Sequence, residues 1–336
     1  MKRFAPRQRV TIDDVATLAG VSKTTVSHVL SGNRPVAPPT RHRGDDAIRK
    51  LGYRPDGIAR SMRTRRTHMI ALMIPDIANP YYPSLARGLE DGTNHDYRVF
   101  ICNTDGRRER EEAFLGEVSD RQADGIVLDS FALPARTIED VVPPNVSVVR
   151  IGTTIDEDPD FDTVHADDEL GAFEATTHLI RKGHERIGMI QGPLGAGGNR
   201  NEGYVRALRE ASLPYIPEIV IPAGWTRDDG YETARHLLSL PEPPTALFCA
   251  NDLIALGALA AAQELSLRVP DDVALVGFDD IDAAAMVTPP LTTVENPAYE
   301  TGLLAGVLLR ERMSRPEAEP PRTVTVPCRL VERSSS

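Results

Sequence analysis

The sequence predicts an α/β protein in two parts: a small all-α module at the N-terminus, then a two-lobed body with mainly parallel sheets. Three observations predict it. Charge divides the chain. Residues 1–66 hold 15 Lys and Arg against five acids, a balance of +10, while the other 270 residues hold 23 bases against 44 acids, a balance of −21. Apolar residues recur at helical spacing with short turns in the first module, and strand–helix alternation fills the chain after Thr67. At 336 residues two or three domains are expected, and 26% charged with 41% hydrophobic residues is a globular composition.

Several classes drop out. No apolar run approaches the length needed to cross a bilayer, so no membrane partner is expected. The basic start MKRFAPRQRV is not followed by an apolar stretch of the secretory kind. Cys102, Cys249 and Cys328 are far apart and lack metal-ligand spacing. They read as buried thiols of a reducing cytoplasm, with neither a metal nor a cofactor expected.

In the first module, Thr11-Ile12-Asp13-Asp14 fits a capping box, and Ile12, Val15, Ala16 and Ala19 follow on one helical face. Gly20 supplies the positive φ of a tight turn, and Ser22 is a good N-cap for a second helix whose apolar stripe is Val26, Val29 and Leu30. The opposite face carries Lys23, Thr24, Ser27 and His28. Two short helices, a glycine turn and a polar face describe a helix-turn-helix or a plain helical hairpin. A module charged +10 ahead of an acidic body favours the first and a polyanion partner. A third helix is expected over 40–51, softened by Gly44 in its middle.

These words, TIDDVATLAGVSKTTVSHVLSG followed by LGYRPDGIARSMRT, resemble the DNA-binding headpiece of the lactose-repressor/galactose-repressor (LacI/GalR) family, most specifically in V-S-x-x-T-V-S (21–27) and LGYRP (51–55). The resemblance implies a headpiece over 1–53 that binds double-stranded DNA as a homodimer on a near-palindromic operator. Lys23, Thr24 and His28 would face bases. Thr25 and Ser27 would position phosphates, with Thr11, Ser22 and Arg34 as further contacts. Residues 54–66 resemble the family's minor-groove hinge helix, with Arg60 on phosphate and Met62 at the wedge position. A basic interdomain linker is the other reading of this segment. At His28 the family usually carries arginine, so a different base preference is expected there.

The body, 67–336, alternates strand and helix twice over, from HMIALMIPD to DGIVLDS and from ERIGMIQG to DVALVGFDD. This pattern resembles the family's effector domain, a fold similar to periplasmic sugar-binding proteins. The resemblance rests on PDIANPYY (75–82), CANDLIALGAL (249–259), LRVPDDVALVGFDD (267–280) and PPLTTV (289–294). One lobe is expected over about 67–165 and 298–315, the other over about 166–297 and 320–332. Ligands of such sheets bind at the carboxyl ends of strands. By family position Arg200, Asn251 and Asp279 match effector contacts and Trp225 a stacking residue, with Tyr81, Asp105 and Asp129 as first-lobe candidates. Asn251 and Asp252 also read as caps of the helix that follows, and Tyr81 also as core packing. Gly198 and Gly152 stand where the family often has an arginine and an aspartate.

A small-molecule effector, a sugar by chemistry, is therefore expected between the lobes, because amides, carboxylates and a guanidinium suit vicinal hydroxyls and an indole suits a sugar face. A purine-type effector is the alternative. The glycine run GPLGAGG (192–198) lacks G-x-G-x-x-G, and no nucleophile–base–acid grouping is visible, so an enzyme is not expected. A solute-binding receptor of the same fold is the rival function.

Overall fold

The computed structural model describes residues 10–31, 34–53, 66–120, 123–130, 133–152, 161–193, 198–315 and 320–336. The chain forms two compact units, Met1–Thr67 and His68–Ser336. Arg60 and Met62 of the expected hinge lie outside the described residues.

The first unit holds α1 (Ile12–Ala19), α2 (Lys23–Ser31) and α3 (Pro38–Leu51). The capping box at Thr11 forms in both directions, and Gly20 adopts φ 61° to end α1. Val15, Ala16, Ala19, Val26 and Ala47 make the core. The third helix starts two residues before the sequence reading because Pro38 and Pro39 occupy its first turn, where a missing N–H costs nothing. Gly44 does not interrupt α3. It is buried, and a Cβ there would stand 3.1 Å from both methyls of Val29, so the glycine lets α2 seat that side chain against α3.

In the second unit the chain runs β1 (Met69–Ile74), α4 (Tyr81–Gly92), β2 (Arg98–Asn103), α5 (Arg108–Asp120), β3 (Gly125–Asp129), α6 (Ala135–Val141), β4 (Ser147–Ile151) and β5 (Asp162–Ala166). Next come α7 (Asp168–Arg181), β6 (Ile187–Gln191), α8 (Gly198–Glu210), β7 (Val220–Pro222), α9 (Arg227–Leu238), β8 (Ala246–Cys249), α10 (Asp252–Glu264), β9 (Ala274–Val276) and α11 (Asp282–Met286). The chain closes with β10 (Thr293–Glu295), α12 (Ala298–Ser314), β11 (Thr323–Val326) and β12 (Arg329–Val331). Two parallel sheets result, in the orders β11-β5-β4-β3-β1-β2 and β7-β6-β8-β9. Apolar clusters cover both faces of each, which is why strands such as Met69–Ile74 read as almost unbroken hydrophobic runs.

In both parallel sheets the strand order reverses beside the strand that comes first in the sequence, between β1 and β3 in one and between β6 and β8 in the other. Connections leaving such a pair run to opposite faces and open a crevice at the strands' carboxyl ends. The chain crosses between lobes after β5, returns through β10 to α12, and crosses again between β11 and β12. The expectation that 320–332 lies wholly on the second lobe is corrected here. Strand β11 extends the first sheet beside β5, and only β12 pairs with β10. The reason is Asp162 at the start of β5. Its buried carboxylate accepts from the Arg312 guanidinium and from the Arg322 backbone N–H, each at 2.8 Å, which holds the segment entering β11 on the first lobe.

Helices α4 and α12 cross at glycines, and a Cβ on Gly302 would overlap the Leu85 carbonyl oxygen. Gly302→Ala is expected to destabilise the body by about 1–3 kcal/mol, read as a lower urea midpoint. An unchanged midpoint would mean that the two helices can separate without loss.

Candidate functional site

The carboxyl ends of both sheets line one cavity. The first sheet contributes Pro75 and Asp76 after β1, Asp129 ending β3, Ile151 and Gly152 at β4, and Ala166 ending β5. The second contributes Trp225 after β7, Asn251 after β8 and Asp279 after β9. Asn79, Tyr81, Tyr82, Asp168, Arg200 and Asn296 complete the wall.

Arg200, on α8, organises the second-lobe side. Its Nε donates to Asp168 at 3.0 Å, its Nη1 donates to the Ala250 carbonyl, and its Nη2 stands 3.7 Å from Asp279. The guanidinium lies over the Phe278 ring at 3.8 Å and also faces Trp225 at 5.9 Å. Burial opposes its charge, but Asp168 and Asp279 more than offset this and hold its proton more firmly than usual. The local sequence around Arg200 offers no apolar partner. Phe278, distant in sequence, supplies one.

Asp279 and Asp280 adopt φ 108° and 52°, a left-handed path that sends the adjacent side chains to different partners. Asp279 enters the cleft, where it accepts from Asn296 Nδ2 at 3.1 Å; burial pushes its carboxyl up to about 6. Asp280 pairs with Arg333 at 2.6 Å. Asp129 is buried as well, and burial pushes it up to about 7 against the Tyr82 hydroxyl, which donates to it. Gly152 leaves room for that carboxylate, since a Cβ there would lie 3.7 Å from Asp129 Oδ1.

Asn251 lines the cleft and also caps α10, its Oδ1 accepting from the Ile254 N–H at 2.8 Å. Its Nδ2 donates to the Trp225 carbonyl at 3.2 Å, which ties the backbone there to the start of α10. Asp252 does not line the cleft. It is fully buried and accepts from the Ile281 N–H at 2.9 Å and the Thr293 hydroxyl at 2.5 Å. Tyr81 lines the cleft with its ring edge-to-face on Tyr82.

Asp105 is the first-lobe candidate that the fold moves away. It is exposed, in a left-handed turn at φ 55°, and engages Arg110 and Asn103 Nδ2 instead of the cleft. Its position soon after β2 suggested a strand-end site, but β2 is the sheet's edge strand, away from the β1/β3 reversal. Sequence reasoning missed Asp168 and Asn296. Asp168 opens a helix and Asn296 precedes a proline, so both pass for turn residues. Only the second-lobe contacts to Arg200 and Asp279 reveal them.

On the headpiece, Lys23 and Thr24 are exposed on α2, with Thr25, Ser27 and His28 part-buried beside them, and Arg34 is exposed in the following turn. Lys23 pairs with Asp13 at 2.7 Å. Ser22 accepts from the Thr25 N–H at 3.1 Å, and the Thr11 hydroxyl caps α1, so both also hold helix ends. This is a helix-turn-helix whose second helix presents a small polar face. Among the described residues no cluster of His, Cys, Asp or Glu has the arrangement of a metal site. Burial pushes the Cys328 thiol up to about 12.

Residues 11–56 match the family model for bacterial regulatory proteins of the lacI family, and residues 176–336 match that for a periplasmic binding protein-like domain. The chain is 37% identical over 331 residues to catabolite control protein A of Priestia megaterium, covering 97% of this chain and 99% of that one. It is 34% identical over 319 residues to the HTH-type transcriptional repressor CytR of Escherichia coli K12, covering 93% and 92%. A solved complex of the transcriptional regulator CelR with cellobiose superposes with a TM-score of 0.73 at 31% identity, covering 98% of this chain and all of that one. The chain thus belongs to the lacI family of bacterial regulatory proteins, as a DNA-binding transcriptional regulator with an effector-binding body.

Proposed function

We propose that this regulator is a homodimeric, cytoplasmic repressor, nucleoid-associated when bound to DNA, whose hold on a near-palindromic operator is set by a sugar in the interlobe cleft. The observation that carries the reading is the convergence of Arg200, Asp279, Asn251 and Trp225 on one cavity at the carboxyl ends of both sheets. Carboxylates and amides suit vicinal hydroxyls, and an indole suits the apolar face of a ring. The cellobiose complex of CelR supports the sugar reading by likeness.

Each headpiece would set α2 in a major groove, with Lys23, Thr24 and His28 toward bases and Thr25, Ser27 and Arg34 toward phosphates. Thr11 and Ser22 would aim the N-terminal backbone N–H groups of their helices at the DNA backbone. By the family resemblance Arg60 would reach phosphate and Met62 would enter a base step. Ligand closure of the lobes would change the spacing of the two hinges, a coupling typically of ~1–3 kcal/mol.

Arg200→Ala is a poor test of the cleft because it would leave the part-buried Asp168 and Asp279 carboxylates without their cation and destabilise the lobe itself. Trp225→Leu is the better one. With an operator selected from random duplex DNA, it is expected to keep operator binding while losing release by sugars. Release equal to that of the unmodified chain would remove the cleft from the mechanism. For His28, an imidazole is shorter than the arginine usual in the family at this position, so His28→Arg is expected to change the base selected at the matching operator position. An identical selected operator for both chains would overturn it. Asp129 keeps its proton in the folded state up to about 7, whereas in the unfolded chain it loses it in the ordinary carboxylate range. Its contribution to stability is therefore full at low pH and lost as pH rises through about 7. Asp129→Asn escapes that loss, so its thermal midpoint relative to the unmodified chain is expected to rise by roughly 5 °C between about pH 5 and about pH 8. A constant difference would count against a buried, protonated Asp129.

A further inference from the structure

The cleft is rich in groups that accept hydrogen bonds, and the cation among its described lining residues is already paired. Asp129 enters from the first lobe and Asp168 and Asp279 from the second, with Asp76 beside them. Asp76 already accepts from the Ala78 N–H at 2.9 Å. Among the described lining residues Arg200 is the one cation, and it is committed on three sides, to Asp168, to Asp279 and to the Ala250 carbonyl. Its flat face is covered by Phe278.

Three of the neutral donors are engaged too. The Tyr82 hydroxyl goes to Asp129, Asn251 Nδ2 to the Trp225 carbonyl and Asn296 Nδ2 to Asp279. Asn296 leaves one acceptor over. The residue is 7% exposed, and its buried Oδ1 receives no hydrogen bond among the described residues. A buried acceptor with no donor is costly unless something supplies the donor.

Taking the cleft as the effector site, we propose that the effector bears no phosphate or carboxylate and is held through hydroxyl or amino groups that donate to Asp129, Asp279 and Asn296. An anion in this cavity meets the carboxylates of Asp168 and Asp279 where solvent screens them weakly. Arg200 cannot turn to meet it without leaving Asp168 and Asp279 unpaired. The same arrangement welcomes donors, since carboxyl oxygens accept hydrogen bonds and Asn296 Oδ1 receives none among the described residues.

The test uses the full chain and the fluorescence of Trp225, its only tryptophan, which lines the cleft. Free sugars, their phosphorylated and carboxylated counterparts, and purine bases are titrated in parallel. A small-metabolite extract, split by anion exchange into unretained and retained fractions, covers ligands outside the panel. The response is expected from the unretained fraction and from an uncharged sugar, with its anionic counterpart at least roughly 100-fold weaker. Asp168→Asn, which relieves one claim on Arg200, is expected to strengthen binding of that counterpart roughly 10-fold. A phosphorylated sugar that binds as tightly as the free one, or a response confined to the retained fraction, would overturn the proposal and leave the sugar reading intact. A response to a purine base alone would overturn the sugar reading and support the exclusion of anions. Silence in every arm would overturn both.

Discussion

One guanidinium sets the shape of the cleft. Arg200 is buried, and a buried charge must be paired and hydrogen-bonded to be tolerated. Its partners come from separate parts of the second lobe: Asp168 from the start of α7, the Ala250 carbonyl from the end of β8, and Asp279 from the segment after β9. These parts must therefore keep a fixed distance from α8. Asp279 is held in a left-handed backbone conformation that a non-glycine residue adopts only under constraint. Arg200 on one side and Asn296 on the other supply that constraint.

A second buried carboxylate continues the network beneath the cleft. Asp252 joins the start of α10 to the Ile281 N–H and to Thr293, and Asp280 beside it reaches Arg333. The C-terminal segment is drawn in as well, because Ser335 exchanges hydrogen bonds with Leu275 and its hydroxyl accepts from the Thr292 N–H. The cleft floor, a crossover strand and the chain's last residues thus share one polar layer. Its members have few alternative partners, which favours shifts of the whole layer over shifts of single side chains.

Much of this was legible in the chain itself. The N-cap at Thr11, the turn at Gly20 and the stripe of Val26, Val29 and Leu30 specify the headpiece through local rules alone. Arg200, Asn251, Trp225 and Asp279 were legible because each follows a strand of the second lobe or opens the helix after one. Asp105 satisfied the same rule and still fell outside the cleft, since strand order, not distance along the chain, decides which ends converge. Asp168 and Asn296 escaped notice because their importance lies in contacts to residues dozens of positions away.

The sequence by itself determined the elements, their alternation and the division of charge between a basic front and an acidic body. Those follow from periodicity, capping and composition, which act over a few residues at a time. Only the tertiary structure decided that β11 returns to the first sheet, that Gly44 makes room for Val29, and that Arg200 is already spoken for by two carboxylates. Pairing between strands, close approach of helices and burial of charge depend on what arrives from elsewhere in the chain, and no local pattern encodes that.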